Sequence, residues 1–222
     1  MAEIVFYFDC ASVFSYIGFE FMEKYRELWN VKVDYRPFYL DKVMARAKNT
    51  FSPNKLPYLF ADVRRTTGVT KIPFKGMPPK YPYDPTVALR TLQYLKTKYP
   101  QNDNQLMRQA MRRLWRIEYF DRKAPESIDN VKEALRGLSS PVDSDTIVDA
   151  AQAESNTLDA VVQNTRSLEE MRAFGAPTIL VYKNGPSERP QMYFGSDRFE
   201  HIAIHLGEEF LPMKQLFASS KL

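Results

Sequence analysis

The sequence contains one cysteine and two histidines in 222 residues, and both shortages exclude functions. Cys10 has no second cysteine to pair with, so an internal disulfide framework and a Cys-x-x-Cys redox pair are both excluded. The chain is therefore not a dithiol oxidoreductase, and a reducing compartment suits it. His201 and His205 stand four residues apart, but without a third ligand we do not expect a zinc site.

Long apolar runs are missing as well. No run approaches the roughly 20 residues that a membrane-spanning helix needs. The N-terminus enters a strand-like segment at Glu3, with neither a secretory apolar region nor an arginine-rich presequence before it. We therefore expect a soluble chain that is made in the cytosol and has no membrane span.

Charge of one sign does not dominate any part of the chain. The net charge of +4 arises from 31 basic and 27 acidic residues, which are mixed along the sequence. No nucleic-acid-binding motif accompanies the basic residues. The pattern favours a solvated surface with a mild attraction for anionic small molecules, and no nucleic-acid partner.

The first strong pattern is a strand followed by a capped helix. Residues 4–8 form a continuous apolar run, which is typical of a central strand covered on both faces. Ser12 then occupies an N-cap position, and apolar residues at helical spacing predict a helix from about 13 to 28 that Asn30 closes. Alternation over residues 31–37 predicts a second strand. The start of the chain is therefore a β-α-β unit.

Helical periodicity then continues from residue 39 to about 174, which predicts a large insertion. Asp84 followed by Pro85 marks one helix start, and Asp103 marks another. Further helices are expected at about residues 127–136, 144–153 and 155–173.

Residues 64–85 contain five prolines, so we expect an extended arm with little regular structure. Two interpretations stay open for this arm. It is either a surface connector, or a lid or subunit contact.

After the insertion, residues 176–182 and 191–194 predict a hairpin, and Gly195-Ser196-Asp197 leads into a last helix that Gly207 stops. The order is β-α-β, helical insertion, β-β-α. We predict an α/β fold in which residues 1–38 and 175–222 form one discontinuous domain and residues 39–174 form an all-helical insertion domain.

This order resembles the thioredoxin-like fold, and three motifs make the chain similar to the kappa-class glutathione transferases. The motifs are Ser12-Val13-Phe14-Ser15 followed by Gly18-Phe19-Glu20, then Gly175-Ala176-Pro177, and Phe194-Gly195-Ser196-Asp197-Arg198. The resemblance implies a transferase that uses glutathione as co-substrate, with no other cofactor and no metal. Val13 and Tyr16 depart from the family, which usually has proline and often tryptophan at these positions.

Ser12 is the predicted catalytic residue. A free thiol has a pKa of about 8.5, and holding it mostly as thiolate at pH 7 requires about 2.7 kcal/mol. A hydroxyl hydrogen bond contributes about 1.5 to 3 kcal/mol, and a helix N-terminus adds about 0.3 to 1. Ser12 would thus be a donor to the glutathione sulfur and not a nucleophile. The alternative is that Ser12 only caps the helix.

Six further residues are predicted to bind glutathione. Ser196, with nearby backbone amides, would hold the γ-glutamyl carboxylate, and Asp197 the ammonium group. The resemblance implies that Pro177 is cis and that the backbone of Ala176 pairs with the cysteinyl part. It also implies that Lys55 meets the glycyl carboxylate and that Asn49 lies near the thiol or the acceptor.

The main hypothesis is conjugation of glutathione to small electrophiles, with hydroperoxide reduction as a related activity. Two alternatives stay open. One is a glutathione-dependent isomerase of the 2-hydroxychromene-2-carboxylate type, and the other is a non-catalytic thioredoxin-like binding module. The resemblance also implies a homodimer.

The C-terminal residues Ser220, Lys221 and Leu222 match the peroxisomal address that an import receptor reads. We therefore expect a peroxisomal location, and the family resemblance also allows a mitochondrial one.

Overall fold

A computed structural model describes residues 2–50 and 52–218. It has the predicted α/β fold, in which a four-stranded sheet is combined with helices. The strands are β1 Glu3–Phe8, β2 Lys32–Pro37, β3 Thr178–Tyr182 and β4 Gln191–Phe194. The helices are α1 Val13–Trp29, α2 Leu40–Arg46, α3 Lys55–Thr70, α4 Thr86–Lys98, α5 Gln101–Tyr119, α6 Ile128–Leu135, α7 Ser144–Ala153, α8 Ser155–Glu170, α9 Phe199–Leu206 and α10 Met213–Ala218.

The sheet has the strand order β2-β1-β3-β4, so β1 is central as predicted. β1 runs parallel to β2 and antiparallel to β3, which pairs antiparallel with β4. Alternate residues of β1 enter different apolar clusters. Phe6 and Phe8 pack in the cluster that includes α1, while Val5 and Tyr7 pack with Phe38 on the other face. The apolar run of β1 is therefore explained by burial on both faces.

Helix α1 begins and ends as its sequence predicts. Ser12 is the N-cap and Asn30, at φ 49°, is the C-cap. A Cβ atom added to Gly18 would lie 3.0 Å from Cγ of Pro177 and 3.5 Å from Cβ of Ser196. Gly18 therefore allows α1 to approach the two C-terminal loops closely, and this contact holds the loops against the start of the helix.

Several predicted boundaries are wrong. Helix α3 includes Arg64–Thr70, so the extended arm is limited to residues 71–85. Asp103 is not an N-cap, because it has left-handed backbone angles within the first turn assigned to α5. Helix α4 starts one residue later than expected, with Asp84 Oδ1 accepting the N–H of Thr86 at 2.9 Å. Helix α9 is not the last helix, since α10 follows it.

A buried carboxylate joins α1 to α5. Glu23 accepts from Nη1 of Arg108 at 2.6 Å and from the Tyr35 hydroxyl at 2.7 Å. It also forms ion pairs with Arg26 at 3.2 Å and with Arg112 at 3.3 Å. The Glu23 side chain is only 6% exposed, so three guanidinium groups surround a carboxylate that water scarcely reaches.

None of the helices within the described residues has the length and apolar character that a bilayer crossing requires. Ser220, Lys221 and Leu222 lie outside the described residues. Peroxisomal import, the homodimer and the division into two domains stay predictions.

Candidate active site

A cavity of about 1040 Å³ opens at the N-terminus of α1. Its walls are formed by the start of α1, by α2 and the connection after it, by the first half of α3 and by the arm. The end of α8, the loop before β3 and the last residue of β4 complete them. Most of the lining is apolar, and these side chains are Val13, Phe14, Leu40, Met44, Ala47, Leu56, Leu59, Phe60, Val63, Met77, Ala173, Phe174, Ala176 and Phe194. Four of the seven predicted site residues also line it, namely Ser12, Asn49, Lys55 and Ala176.

Ser12 presents a hydroxyl group at the mouth of α1. Its Oγ accepts the N–H of Ser15 at 3.1 Å, and the residue is 5% exposed. Because Oγ acts as an acceptor in this bond, its own proton stays available for a partner in the cavity. The backbone N–H groups of Val13 and Phe14 belong to the first turn, where no intrahelical acceptor exists. Together these donors favour an anion at this position.

Cys10 and Ser15 are close to Ser12 in sequence but are withdrawn from the cavity. Cys10 is 1% exposed, and burial raises the pKa of its thiol well above the ordinary value. A buried neutral thiol is a poor nucleophile, which supports a packing role at the end of β1. Ser15 is fully buried, and its Oγ accepts the N–H of Asp9 at 3.4 Å. Neither residue lines the cavity.

Asp9 fixes the turn that leads into α1. Its Oδ1 accepts the N–H of Ala11 at 2.8 Å, and its Oδ2 accepts the N–H of Leu40, the first residue of α2, also at 2.8 Å. Asp9 is 2% exposed, and burial raises the pKa of its carboxyl from 3.8 to about 7. The two backbone N–H groups lower this pKa, and the negative charges of Asp41 and Asp84 raise it further.

Replacing Asp9 with asparagine should therefore change the pH dependence of stability. A carboxyl group whose pKa is higher in the folded chain stabilises the fold fully below its unfolded pKa, and this contribution is lost as pH rises through the folded pKa. The difference between 3.8 and about 7 corresponds to at most about 4 kcal/mol. We expect the free energy of unfolding of Asp9→Asn to rise relative to the parent chain between about pH 4 and pH 8.

Urea unfolding of both proteins at several pH values measures this difference. Glu118 is a second buried carboxyl whose pKa burial raises, and the Asp9 charge raises it further, so the measured difference includes this coupling between the two carboxyls. If the difference in the free energy of unfolding between the two proteins stays constant with pH, the raised pKa of Asp9 is contradicted.

The loop before β3 brings Pro177 and Ala176 to the site. The Ala176–Pro177 peptide bond is cis, as the resemblance implied. The Pro177 carbonyl accepts the N–H of Gly195 at 3.0 Å, which joins this loop to the turn after β4. Asn49 Nδ2 donates to the Phe174 carbonyl at 2.7 Å. Asn49 therefore links the α2–α3 connection to the same loop.

Ser196 and Asp197 lie in the turn before α9 and do not open the helix, which begins at Phe199. Ser196 is partly buried beside Gly18, whereas the Asp197 side chain is 67% exposed and pairs with Arg198 at 2.7 Å. Neither residue lines the cavity.

The cavity has a charged rim. Lys55 is exposed at the start of α3 and reaches the cavity wall. Other charged residues at the lining are Arg46, Lys48, Glu169, Glu170 and Arg172. Among the described residues no group of three or more His, Cys, Asp and Glu side chains is placed to hold a metal ion.

The sequence did not identify the apolar walls, nor the two residues that the arm contributes, Met77 and Tyr81. The apolar residues of α2 and α3 that face the cavity cannot be told from the other apolar residues of these helices by their sequence pattern. For the arm, the clustered prolines indicated an extended path but not the residue that faces the cavity.

Comparisons with known proteins agree with this geometry. The family model described as DSBA-like thioredoxin domain matches residues 3–207. Glutathione S-transferase kappa 1 of Caenorhabditis elegans is 33% identical over 236 aligned positions, which cover 100% of this chain and 99% of the relative. Glutathione s-transferase kappa 2 of the same organism is 28% identical and covers 96% and 95%.

Among solved structures, 2-hydroxychromene-2-carboxylate isomerase matches with a TM-score of 0.69 at 20% identity, covering 92% of this chain and 94% of that one. A likeness at this identity concerns the fold alone. The sequence relatives confirm the resemblance inferred from the three motifs. The chain belongs to the DSBA-like thioredoxin domain family and, within it, to the kappa-class glutathione S-transferases.

Proposed function

We propose that the chain binds glutathione at the mouth of α1, holds its thiol as thiolate and adds the sulfur to small apolar electrophiles. One observation carries this proposal. The Ser12 hydroxyl, with a proton free to donate, lies at a helix N-terminus on the wall of a cavity whose other walls are largely apolar. A donor group at an anion-favouring position beside an apolar chamber fits a thiolate and an uncharged acceptor.

The thiolate requires no general base at the site. The Ser12 hydroxyl and the first-turn N–H groups of α1 together contribute about 2 to 4 kcal/mol, a range that includes the roughly 2.7 kcal/mol needed at pH 7. Deprotonation lowers the barrier because the thiolate, and not the thiol, attacks the electrophile. Ser12 thus acts as an oriented donor throughout the reaction.

The cysteinyl part of glutathione is placed along Ala176, whose backbone lines the cavity next to Pro177. Lys55 on the rim is assigned the glycyl carboxylate. Ser196 and Asp197 are assigned the γ-glutamyl group, although Asp197 must then share its carboxylate between Arg198 and the ligand ammonium. Asn49 holds the Phe174 carbonyl and supports the loop that receives the cysteinyl part.

Titration calorimetry with glutathione tests the binding step. We expect saturable heat and, at a concentration 100 times the dissociation constant, stabilisation of the fold by about 2.7 kcal/mol. Conjugation to an aromatic halide, followed by its absorbance, tests the chemistry. S-methylglutathione, which cannot form a thiolate, is the matched control and should bind without supporting turnover.

Two results would contradict the proposal. Absence of both heat and thermal stabilisation at millimolar glutathione would favour a binding module without glutathione. Rapid isomerisation of 2-hydroxychromene-2-carboxylate with negligible conjugation would favour the isomerase.

A further inference from the structure

The arm is fixed to the body of the protein and does not behave as a free connector. The N–H groups of Lys75 and Gly76 donate to the Tyr119 carbonyl at 2.8 and 3.2 Å. Nε of Arg122 donates to the Met77 carbonyl at 3.1 Å. These bonds hold the first half of the arm against the end of α5, and the chain then continues to Tyr81 at the cavity.

Tyr81 connects the arm to the backbone that carries Ser12. Its hydroxyl donates to the Ala11 carbonyl at 3.0 Å, while its ring lines the cavity. The residue is 41% exposed, so this hydrogen bond forms at the cavity mouth and not in the core.

The bond has a geometric consequence for Ser12. The Ala11 carbonyl and the Ser12 N–H belong to one peptide unit, which is planar. Tyr81 holds the oxygen of this unit, and the Asp9 carbonyl accepts its N–H at 3.1 Å. Both ends of the plane are therefore fixed, and the Cα atom of Ser12 lies in it. The direction of the Ser12 side chain follows from this plane, from φ of Ser12, which is −104°, and from one side-chain rotamer.

The two bonds come from different parts of the chain. Asp9 is the neighbour at the end of β1, whereas Tyr81 is 70 residues away on the arm. The Asp9 carboxylate also holds the N–H of Ala11 at 2.8 Å, so that both peptide units flanking Ala11 are restrained. The arm contributes to this restraint through the hydrogen bond of Tyr81.

We propose that Tyr81 is a positioning residue for the reaction, acting through the Ala11–Ser12 peptide to aim the Ser12 hydroxyl at the glutathione sulfur. The proposal rests on the proposed function. It assigns the arm a role in thiol activation, which neither a surface connector nor a subunit contact would have.

Tyr81→Phe tests this role, because it removes the hydroxyl and keeps the ring at the cavity wall. We expect the bound thiol to titrate at higher pH, with about a threefold smaller ratio of thiolate to thiol at pH 7 and a similar fall in kcat, as loss of one weak hydrogen bond implies. KM for glutathione should change little. The ultraviolet absorbance of the thiolate, followed against pH, gives the titration.

Tyr58→Phe is the matched control, since Tyr58 is 62% exposed on α3 and is not part of the cavity wall. The decisive comparison is Tyr81→Phe in a Ser12→Ala background. If Tyr81 acts through Ser12, Tyr81→Phe should cause no further change in the thiol titration of the Ser12→Ala variant.

An unchanged titration in Tyr81→Phe, with the parent chain binding glutathione and Ser12→Ala shifting the titration, would overturn the role of Tyr81 alone. An equal shift in both backgrounds would also overturn it, because Tyr81 would then act without Ser12. Failure of the parent chain to bind glutathione would instead overturn the proposed function.

Discussion

Replacing Ser12 with alanine is expected to lower kcat for conjugation by about 10- to 100-fold and to raise the pKa of the bound thiol by about one to two units, because one hydrogen bond to a charged group is lost. The hydroxyl lies at the mouth of α1 with its proton free to donate, and the alanine side chain offers no donor. Affinity for glutathione should fall less than kcat, because the remaining contacts lie elsewhere. Steady-state kinetics and the thiol titration measure both effects.

Ser12 also caps α1, so the loss of a cap must be separated from the loss of the donor. Alanine at an N-cap costs about 1 kcal/mol of stability, whereas glycine costs only a few tenths. Ser12→Gly should therefore keep near-parent stability and still lose activity. Ser12→Thr keeps a hydroxyl and should therefore retain much of the parent activity. Ser15→Ala is a further control, because Ser15 is buried away from the cavity. Parent-like titration in Ser12→Gly would refute the donor role.

The elements that the sequence predicted well have strong local signals. Helix α1 has a serine cap, an amphipathic stripe and an asparagine that adopts a left-handed conformation at its end. Helices α6, α7 and α8 begin within one residue of the expected positions. In each case the signal lies within a few residues of the feature it specifies, so tertiary contacts do not change the outcome.

The end of α3 shows where local signals fail. Its last residues include Thr66, Thr67, Gly68 and Thr70, which are poor helix formers, and prolines follow. The structure keeps them helical because Thr67 and Thr70 are buried, and their hydroxyls bond back to the carbonyls of Val63 and Thr66 at 2.8 and 2.9 Å. Packing against the rest of the fold outweighs the weak propensity.

The site was predictable only in part, for a similar reason. Ser12 and the cis-Pro177 loop have motifs of their own, and both are where the sequence placed them. Tyr81 has no motif. Its hydroxyl reaches Ala11 only because the arm is anchored at Tyr119, a contact between segments that are far apart in the chain.

Replacing Glu23 with glutamine is expected to lower the free energy of unfolding by about 3 to 5 kcal/mol, the usual cost of removing one partner from a buried ion cluster. Arg112 keeps Glu20 at 3.0 Å, and Arg26 keeps a contact with Asp103 at 3.5 Å. Arg108 is 11% exposed and loses the carboxylate it pairs with, and among the described residues it retains two backbone carbonyls as partners. Its uncompensated charge accounts for most of the loss.

Urea unfolding followed by circular dichroism measures this loss. Asp149→Asn is the matched control, because it removes a carboxylate from an ion pair with Lys132 at 2.8 Å whose acidic side chain is 59% exposed. That substitution should cost less than about 1 kcal/mol. In the double variant Glu23→Gln with Arg108→Met the buried charge is gone, so its loss should be smaller than the sum of the single losses. Equal losses for Glu23→Gln and Asp149→Asn would show that the cluster between α1 and α5 contributes no more than a surface pair.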